Sequence, residues 1–266
     1  NMAVYGGHGE SPRVVFAPTT VDDCLTCTVE AFNAAETYQV PVLLLSDQSL
    51  SHRLETIDRP DLSTFQVEDR VKPADPESVF DDSDARYKRY LLTESGISPM
   101  SQPGEPGAYV STGIEHDELG HPGYTAELHQ TMQDKRYNKL APLAEQGRVT
   151  VSGPESAKVG ILGWGSTEGA AIDAAEQLRE RGVSAATFYP RIISPLPVQR
   201  IKEWAEGMEA IIVPEVNYTG QFARMVQADC GIRVISQTQI TGRPFTAKMI
   251  VDFVEENVPA AAAATA

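Results

Sequence analysis

The stretch Arg89-Tyr-Leu-Leu-Thr93-Glu-Ser-Gly96-Ile-Ser98-Pro99-Met100 combines one cation, several hydroxyls and a glycine turn. A guanidinium pairs a carboxylate through two parallel hydrogen bonds, and hydroxyls add single donors. Arg89, Thr93 and Ser98 are therefore candidates to hold an acid, against the plainer reading of a loop with a surface ion pair. Glu115-His116-Asp117-Glu118, with His121, gathers carboxylates and imidazoles. The spacing is not His-Glu-x-x-His, and no regular helix is evident there, so a polar loop or a role near substrate or a partner subunit stands ahead of a metal site.

Cys24-x-x-Cys27 falls inside a helical pattern, and Cys230 is the only other cysteine. Three thiols cannot supply the four ligands of an iron–sulfur cluster or a structural zinc. Gly163-Trp-Gly165-Ser-Thr-Glu-Gly169 follows a strand and opens a helix, a place suited to anions. Its spacing is G-x-G-x-x-x-G, and no acidic residue closes the second strand, which runs Thr187-Phe-Tyr-Pro-Arg191. A structural turn is the first reading, a nucleotide or another anion the second. Glu215-Val-Asn217-Tyr-Thr-Gly220-Gln221 joins a strand to a helix, as a ligand or subunit contact or as a capping turn. No motif specifies a self-contained active site, so the catalytic and cofactor-binding residues stay unassigned and no metal ligands are expected.

The elements that must position these residues follow from periodicity. Arg13–Ala17 and Val42–Leu45 read as strands around a helix capped by Thr20, with Val21, Leu25, Val29 and Phe32 as its buried face. The apolar run Val42–Leu45 suggests a strand buried on both faces. A two-strand fragment cannot bury both faces, so something upstream or a partner chain should complete it. From 58 to 148 the pattern is weak, with one helix over Glu127–Leu140. After Val149, strands at Val159–Leu162, Ala185–Tyr189, Ala210–Val213 and Arg233–Ile235 alternate with four helices, a doubly wound α/β arrangement. The tail 259–266 is of low complexity and expected to be disordered.

The 266 residues carry a net charge of −15, with 41% hydrophobic and 22% charged residues. Such a chain repels nucleic-acid phosphates and acidic membrane surfaces. No apolar run reaches the ~18 residues of a membrane span. With no signal peptide visible and few cysteines, a reducing, cytoplasmic setting is expected.

Eight pieces in order resemble the alpha subunits of 2-oxoacid:ferredoxin (acceptor) oxidoreductases, most like the 2-oxoglutarate enzyme (2-oxoglutarate synthase). They are Gly7-His-Gly-Glu-Ser-Pro-Arg13, Glu30-Ala-Phe-Asn-Ala-Ala-Glu36, Pro41–Asp47, Arg89-Tyr90 with Thr93–Pro99, Thr112–Glu118, Lys135-Arg136, Gly163–Thr167, and Pro214–Asn217 with Gly220-Gln221. The resemblance implies an α/β, transketolase-like architecture. Residues 1–57 would be the C-terminal part of the thiamine-diphosphate pyrimidine-binding domain, 58–148 an irregular connecting region, and 149–258 a transketolase C-terminal-like domain. It implies oxidative decarboxylation of 2-oxoglutarate to succinyl-CoA with reduction of ferredoxin, or the reverse, carbon dioxide-fixing reaction. Thiamine diphosphate, Mg2+ and a [4Fe-4S] cluster would serve the complex, with coenzyme A as cosubstrate. The diphosphate, magnesium and cluster sites would lie on a beta subunit. The assembly would be a dimer of heterodimers that also includes the missing N-terminal or gamma part and meets ferredoxin through the partner. By match to the family's loops, Arg89, Thr93 and Ser98, then Glu115, His116 and Asp117, would face substrate or an interface. Met100 stands where many relatives have arginine, and the family's aminopyrimidine-activating glutamate would lie upstream of Asn1. The rival functions are a noncatalytic dimerisation module and a homologue specific for pyruvate or another 2-oxoacid.

Overall fold

The computed structural model describes residues 1–73, 79–80 and 86–258; the expectation for the tail lies outside them. After a short helix α1 (Met2–Tyr5), strand β1 (Val14–Phe16) leads through α2 (Val21–Tyr38) to β2 (Val42–Leu44), and α3 (Gln48–Ser51) follows. β1 and β2 run parallel with Val14 opposite Val42, as a helical crossover permits. The third strand of this sheet comes from the far half of the chain. Residues Ile192–Ser194 pair antiparallel with β1, giving the order β2-β1-β6 once the strands are numbered through. The expected completion by an upstream segment or another chain is thus met on one side by this chain itself. On the other side β2 is an edge strand, with Leu43 and Leu44 37% and 43% exposed, so its apolar run is not buried on both faces as expected.

Helix α2 starts as its sequence requires, with the Thr20 side chain accepting from the Asp23 amide at 3.1 Å. It ends at Gln39, whose φ of 52° turns the chain out ahead of Pro41. The buried face differs from the expected one. Asp23, Cys27 and Ala34 point inward and Phe32 is 71% exposed. The physical cause is Asp23, whose carboxylate sits between Arg191 Nε at 2.5 Å and Arg148 Nη2 at 2.7 Å. Burial by itself would raise the pKa of this carboxyl, but the two guanidiniums hold it below the ordinary carboxylate range. Arg191 also lies 3.1 Å from Glu168, and Glu168 accepts from the Thr19 hydroxyl. This buried ion cluster stitches the start of α2 to the second half of the molecule.

Helices α4 (Ala126–Asn138) and α5 (Ala141–Gln146) lead into a five-stranded sheet, β3 (Val149–Ser152), β4 (Val159–Leu162), β5 (Ala185–Pro190), β7 (Ala210–Glu215) and β8 (Ile235–Thr238), in the order β3-β5-β4-β7-β8. β3 is antiparallel to β5 and the others are parallel. β6 (Ile192–Ser194), leaving β5, is the strand that crosses to the first sheet. Helices α6 (Thr167–Glu180) and α9 (Ala247–Asn257) cover one face, packing Ala171, Ala175, Leu178, Ile250 and Val254. Helices α7 (Val198–Ala205) and α8 (Gln221–Cys230) cover the other with Ile201, Phe222 and Val226. This is the doubly wound layering that the alternating pattern predicts. The last strand begins two residues later than expected, and β3, β6 and α5 had no clear signal.

The described residues between α3 and α4 are largely irregular, as the weak pattern implied. It is pinned by single contacts: Tyr90 N donates to Glu118 O at 2.9 Å, and His116 bridges to Pro122. Gly96, with φ of 72°, lets the 93–98 turn lie on α4, where a Cβ would stand 3.0 Å from Lys135 O and Lys139 Cβ.

Candidate functional site

A cavity of about 460 Å³ opens between the first sheet unit and α4. Its walls come from segments distant in sequence: His8–Pro12, Gln39–Pro41, Arg89-Tyr90, Thr112–His116, and one face of α4 with Lys139 just beyond it. Most of the stretches singled out as chemically unusual in the first half therefore converge on one place.

Arg89 is 9% exposed, and its guanidinium carbon lies 5.2 Å from the Tyr90 ring centroid and 5.5 Å from that of Tyr109. Aromatic faces attract a cation but leave its N–H edge unused. No carboxylate pairs with it among the described residues. A buried charge without a counter-ion is costly, so the arrangement suits an anionic ligand.

Lys135 and Lys139 stand one helical turn apart in the same wall. Lys135 Nζ donates to Gly96 O at 3.0 Å and to Ser98 Oγ at 2.6 Å; Lys139 Nζ donates to Gln39 O at 3.2 Å. Burial first, then repulsion by neighbouring cations including Arg89 and Arg136, pulls each ammonium down to about 8. Glu118 partly opposes this at Lys135. Arg136 is neutralised by Glu115, which accepts from it at 2.6 Å and 3.3 Å. That pairing, with His129, holds the Glu115 carboxyl at about 2 even against some burial.

His116 stacks on Tyr90 with ring centroids 3.7 Å apart. Its Nδ1 lies 3.0 Å from the Asp117 carbonyl oxygen, which can only accept, so Nδ1 carries the proton and Nε2 is the nitrogen left for a ligand.

Arg89, Glu115 and His116 line the cavity, whereas Thr93, Ser98 and Asp117 stand behind the lining, their side chains engaged by the protein's own backbone and by Lys135. Thr93 Oγ1 donates to Ile97 O at 2.9 Å, and Ser98 Oγ donates to Leu91 O at 2.9 Å while receiving from Lys135. Asp117 Oδ1 accepts from the Leu119 and His121 amides, both at 2.9 Å. Lys135, Lys139, Tyr90 and Tyr109 were not singled out as site residues. The signal that could have found the lysines is the cationic stripe 135, 136, 139 on a helix with little apolar face.

The other motifs are occupied by the protein's own groups. At the Gly163–Gly169 turn, the Ser166 amide donates to the Asp47 carboxylate, which fills the place an anion would take. Glu215, buried behind it, accepts from the Phe222 and Ala223 amides at 2.8 Å and 3.0 Å and so caps α8. A second cavity, about 520 Å³, opens at this sheet edge beside Trp164 and Asn217, lined mainly by apolar side chains.

Among the described residues no group of three or more His, Cys, Asp or Glu is placed to hold a metal. Cys24 and Cys27 lie on α2 and Cys230 on α8, and all three are free thiols. This donor set fits neither a magnesium ion nor an iron–sulfur cluster; the cavity, rich in N–H donors, fits a carboxylate or phosphate. Among the described residues no helix is long and apolar enough to cross a membrane.

Residues 2–135 match the family model described as pyruvate flavodoxin/ferredoxin oxidoreductase, thiamine diphosphate-binding, and 157–250 match pyruvate:ferredoxin oxidoreductase core domain II. The alpha subunit of 2-oxoacid:ferredoxin oxidoreductase from Saccharolobus solfataricus is 33% identical over 264 residues, covering 97% of this chain and 40% of that protein. The 2-oxoglutarate oxidoreductase subunit KorA of Mycobacterium tuberculosis is 28% identical, over 95% of this chain and 38% of its own. Among solved structures, the 2-oxoglutarate:ferredoxin oxidoreductase from Magnetococcus marinus with 2-oxoglutarate, coenzyme A and succinyl-CoA bound superposes with a TM-score of 0.88. It is 40% identical, over 96% of this chain and 44% of that one. The chain spans about two fifths of the length of these curated relatives.

Proposed function

The chain belongs to the 2-oxoacid:ferredoxin oxidoreductase alpha-subunit family, and on that premise we propose that it acts as one subunit of a thiamine-diphosphate-dependent complex. The complex would decarboxylate 2-oxoglutarate oxidatively to succinyl-CoA and reduce ferredoxin, or run the reverse reaction. The observation that supports this reading is the convergence of motifs on a cavity whose buried arginine lacks a carboxylate partner among the described residues.

In this proposal Arg89 takes a substrate carboxylate bidentately, with its fork held between Tyr90 and Tyr109. Thr93 and Ser98 keep the 91–98 turn in place, Glu115 and Asp117 hold the opposite loop, and His116 presents Nε2. Wall residues of this kind orient the acid and keep water out. When bound, thiamine supplies the carbanion chemistry, and this chain's share is binding and orientation. The diphosphate, magnesium and cluster sites belong to a beta subunit in this reading. The stretches 1–57, 58–148 and 149–258 serve as pyrimidine-domain, connecting and core-domain-II parts, and the setting is cytoplasmic.

The family model's description favours pyruvate as the competing substrate. The test is purification of the intact complex followed by viologen-dye reduction with coenzyme A and either 2-oxoacid. Reduction with 2-oxoglutarate is the expected result; reduction with pyruvate alone removes the assignment. Unchanged turnover in an assembled Arg89→Ala complex would instead leave the chain an assembly role.

A further inference from the structure

Three cations in the cavity wall, Arg89, Lys135 and Lys139, have no carboxylate partner among the described residues. The fourth, Arg136, is matched by Glu115. Each ammonium has three protons to donate. Lys135 donates to two acceptors and Lys139 to one, all of them uncharged, so both keep donors for a ligand. The positive charge of this wall exceeds what one carboxylate neutralises.

We propose that Lys135 and Lys139 make the cavity select doubly charged over singly charged acids, Arg89 holding one carboxylate and the lysine pair the other. This rests on the reading of the cavity as the 2-oxoacid site and deepens it. Two charges of one sign brought together are stabilised by a ligand that bridges them, and a monocarboxylate leaves the second cation unmatched. Lys139 is buried and Lys135 half-buried; both feel the charge of Arg89, and Lys139 also that of Lys135. The other charged groups facing them are Arg136, Glu118, Glu115 and Glu10; His8, His116 and Tyr90 complete the titratable set of the lining. Of these groups, the two lysines have the ordinary cationic range displaced to about 8, so the selection should weaken above that pH.

The test is calorimetric titration of the assembled complex with glutarate and with butyrate, two unreactive acids that differ by one charged group. Wild type should bind glutarate more tightly, and Lys139→Met should weaken glutarate about tenfold to a hundredfold while leaving butyrate unchanged. Lys139→Arg should restore part of the difference. Lys135 also braces Ser98 and Gly96, so Lys135→Met is read only alongside the wild-type pH series. In that series the glutarate preference should fall as pH rises through about 8. Equal loss of both acids in Lys139→Met, or a preference flat across that pH, overturns the proposal. Arg89→Ala separates the two ideas: if it abolishes binding of both acids while the lysine variants change nothing, the site stands and the selection fails. If Arg89→Ala leaves both acids bound as before, the site assignment itself fails.

Discussion

The Asp47 carboxylate bridges two helix starts: Oδ1 accepts from Leu50 N at 3.0 Å and Oδ2 accepts from Ser166 N at 2.7 Å, across 119 positions of sequence. It caps α3 locally and α6 remotely, and Gly165 is pressed so near it that a Cβ would stand 2.6 Å from Oδ2. Asp47→Ala removes both caps and should lower stability by about 1–2 kcal/mol, since one cap is worth about 1. A urea titration measures it, and an unchanged midpoint would show that neither cap contributes.

Asp23 and Arg191 form a buried pair with side chains 8% and 7% exposed. Removing one partner leaves the other buried with a single counter-ion, Arg148 for Asp23 and Glu168 for Arg191. Asp23→Ala should cost about 3 kcal/mol, the low end of the range for breaking a buried pair, because Glu168 still faces Arg191. Thermal unfolding of Asp23→Ala, Arg191→Met and the double variant checks this; a double variant less stable than the sum of the singles contradicts it.

Arg89→Ala, in the assembled complex, should raise the KM for the 2-oxoacid about tenfold to a hundredfold, the loss of a charge-assisted pair. Arg89→Lys should recover little, because a point charge cannot replace the planar fork between two rings. Steady-state kinetics decide it, and a full recovery by lysine would speak against bidentate binding.

Stability should depend on pH at both ends of the scale. Lys135 and Lys139 are pulled down to about 8 when folded from the ordinary 10.5 of an unfolded chain, so between those limits the unfolded chain binds more protons. The slope of stability with pH is then positive, and the denaturation midpoint should rise from about pH 8 to about pH 10. Lys139→Met should flatten that rise. Glu115 has the opposite window: held at about 2 against the ordinary 4.5, it contributes stability above 4.5 that is lost as pH falls toward 2. Acid titration of Glu115→Gln should lack that step.

Much of the layering was legible from residue types alone. Thr20 and Thr246 stand before helices and cap them through their hydroxyls. β4 and β7 appear as short apolar runs because each is covered on both faces. These features act over one or two turns of chain. The cavity was half legible: Arg89, Glu115 and His116 were candidates, and Lys139 was not, since Gln39, the residue folded against it, lies 100 positions away.

Local periodicity, caps and breakers were the sequence's own contribution, along with the family likeness carried by ordered short motifs. The face of α2 that turns inward depended on Arg191, 168 positions downstream of Asp23. The third strand of the first sheet came from Ile192–Ser194, and one anion-suited cavity arose from segments between His8 and Lys139. Only the tertiary structure could decide these, because hydrophobic pattern reports how much a residue gains from burial, whereas a buried charge goes where its distant partner waits.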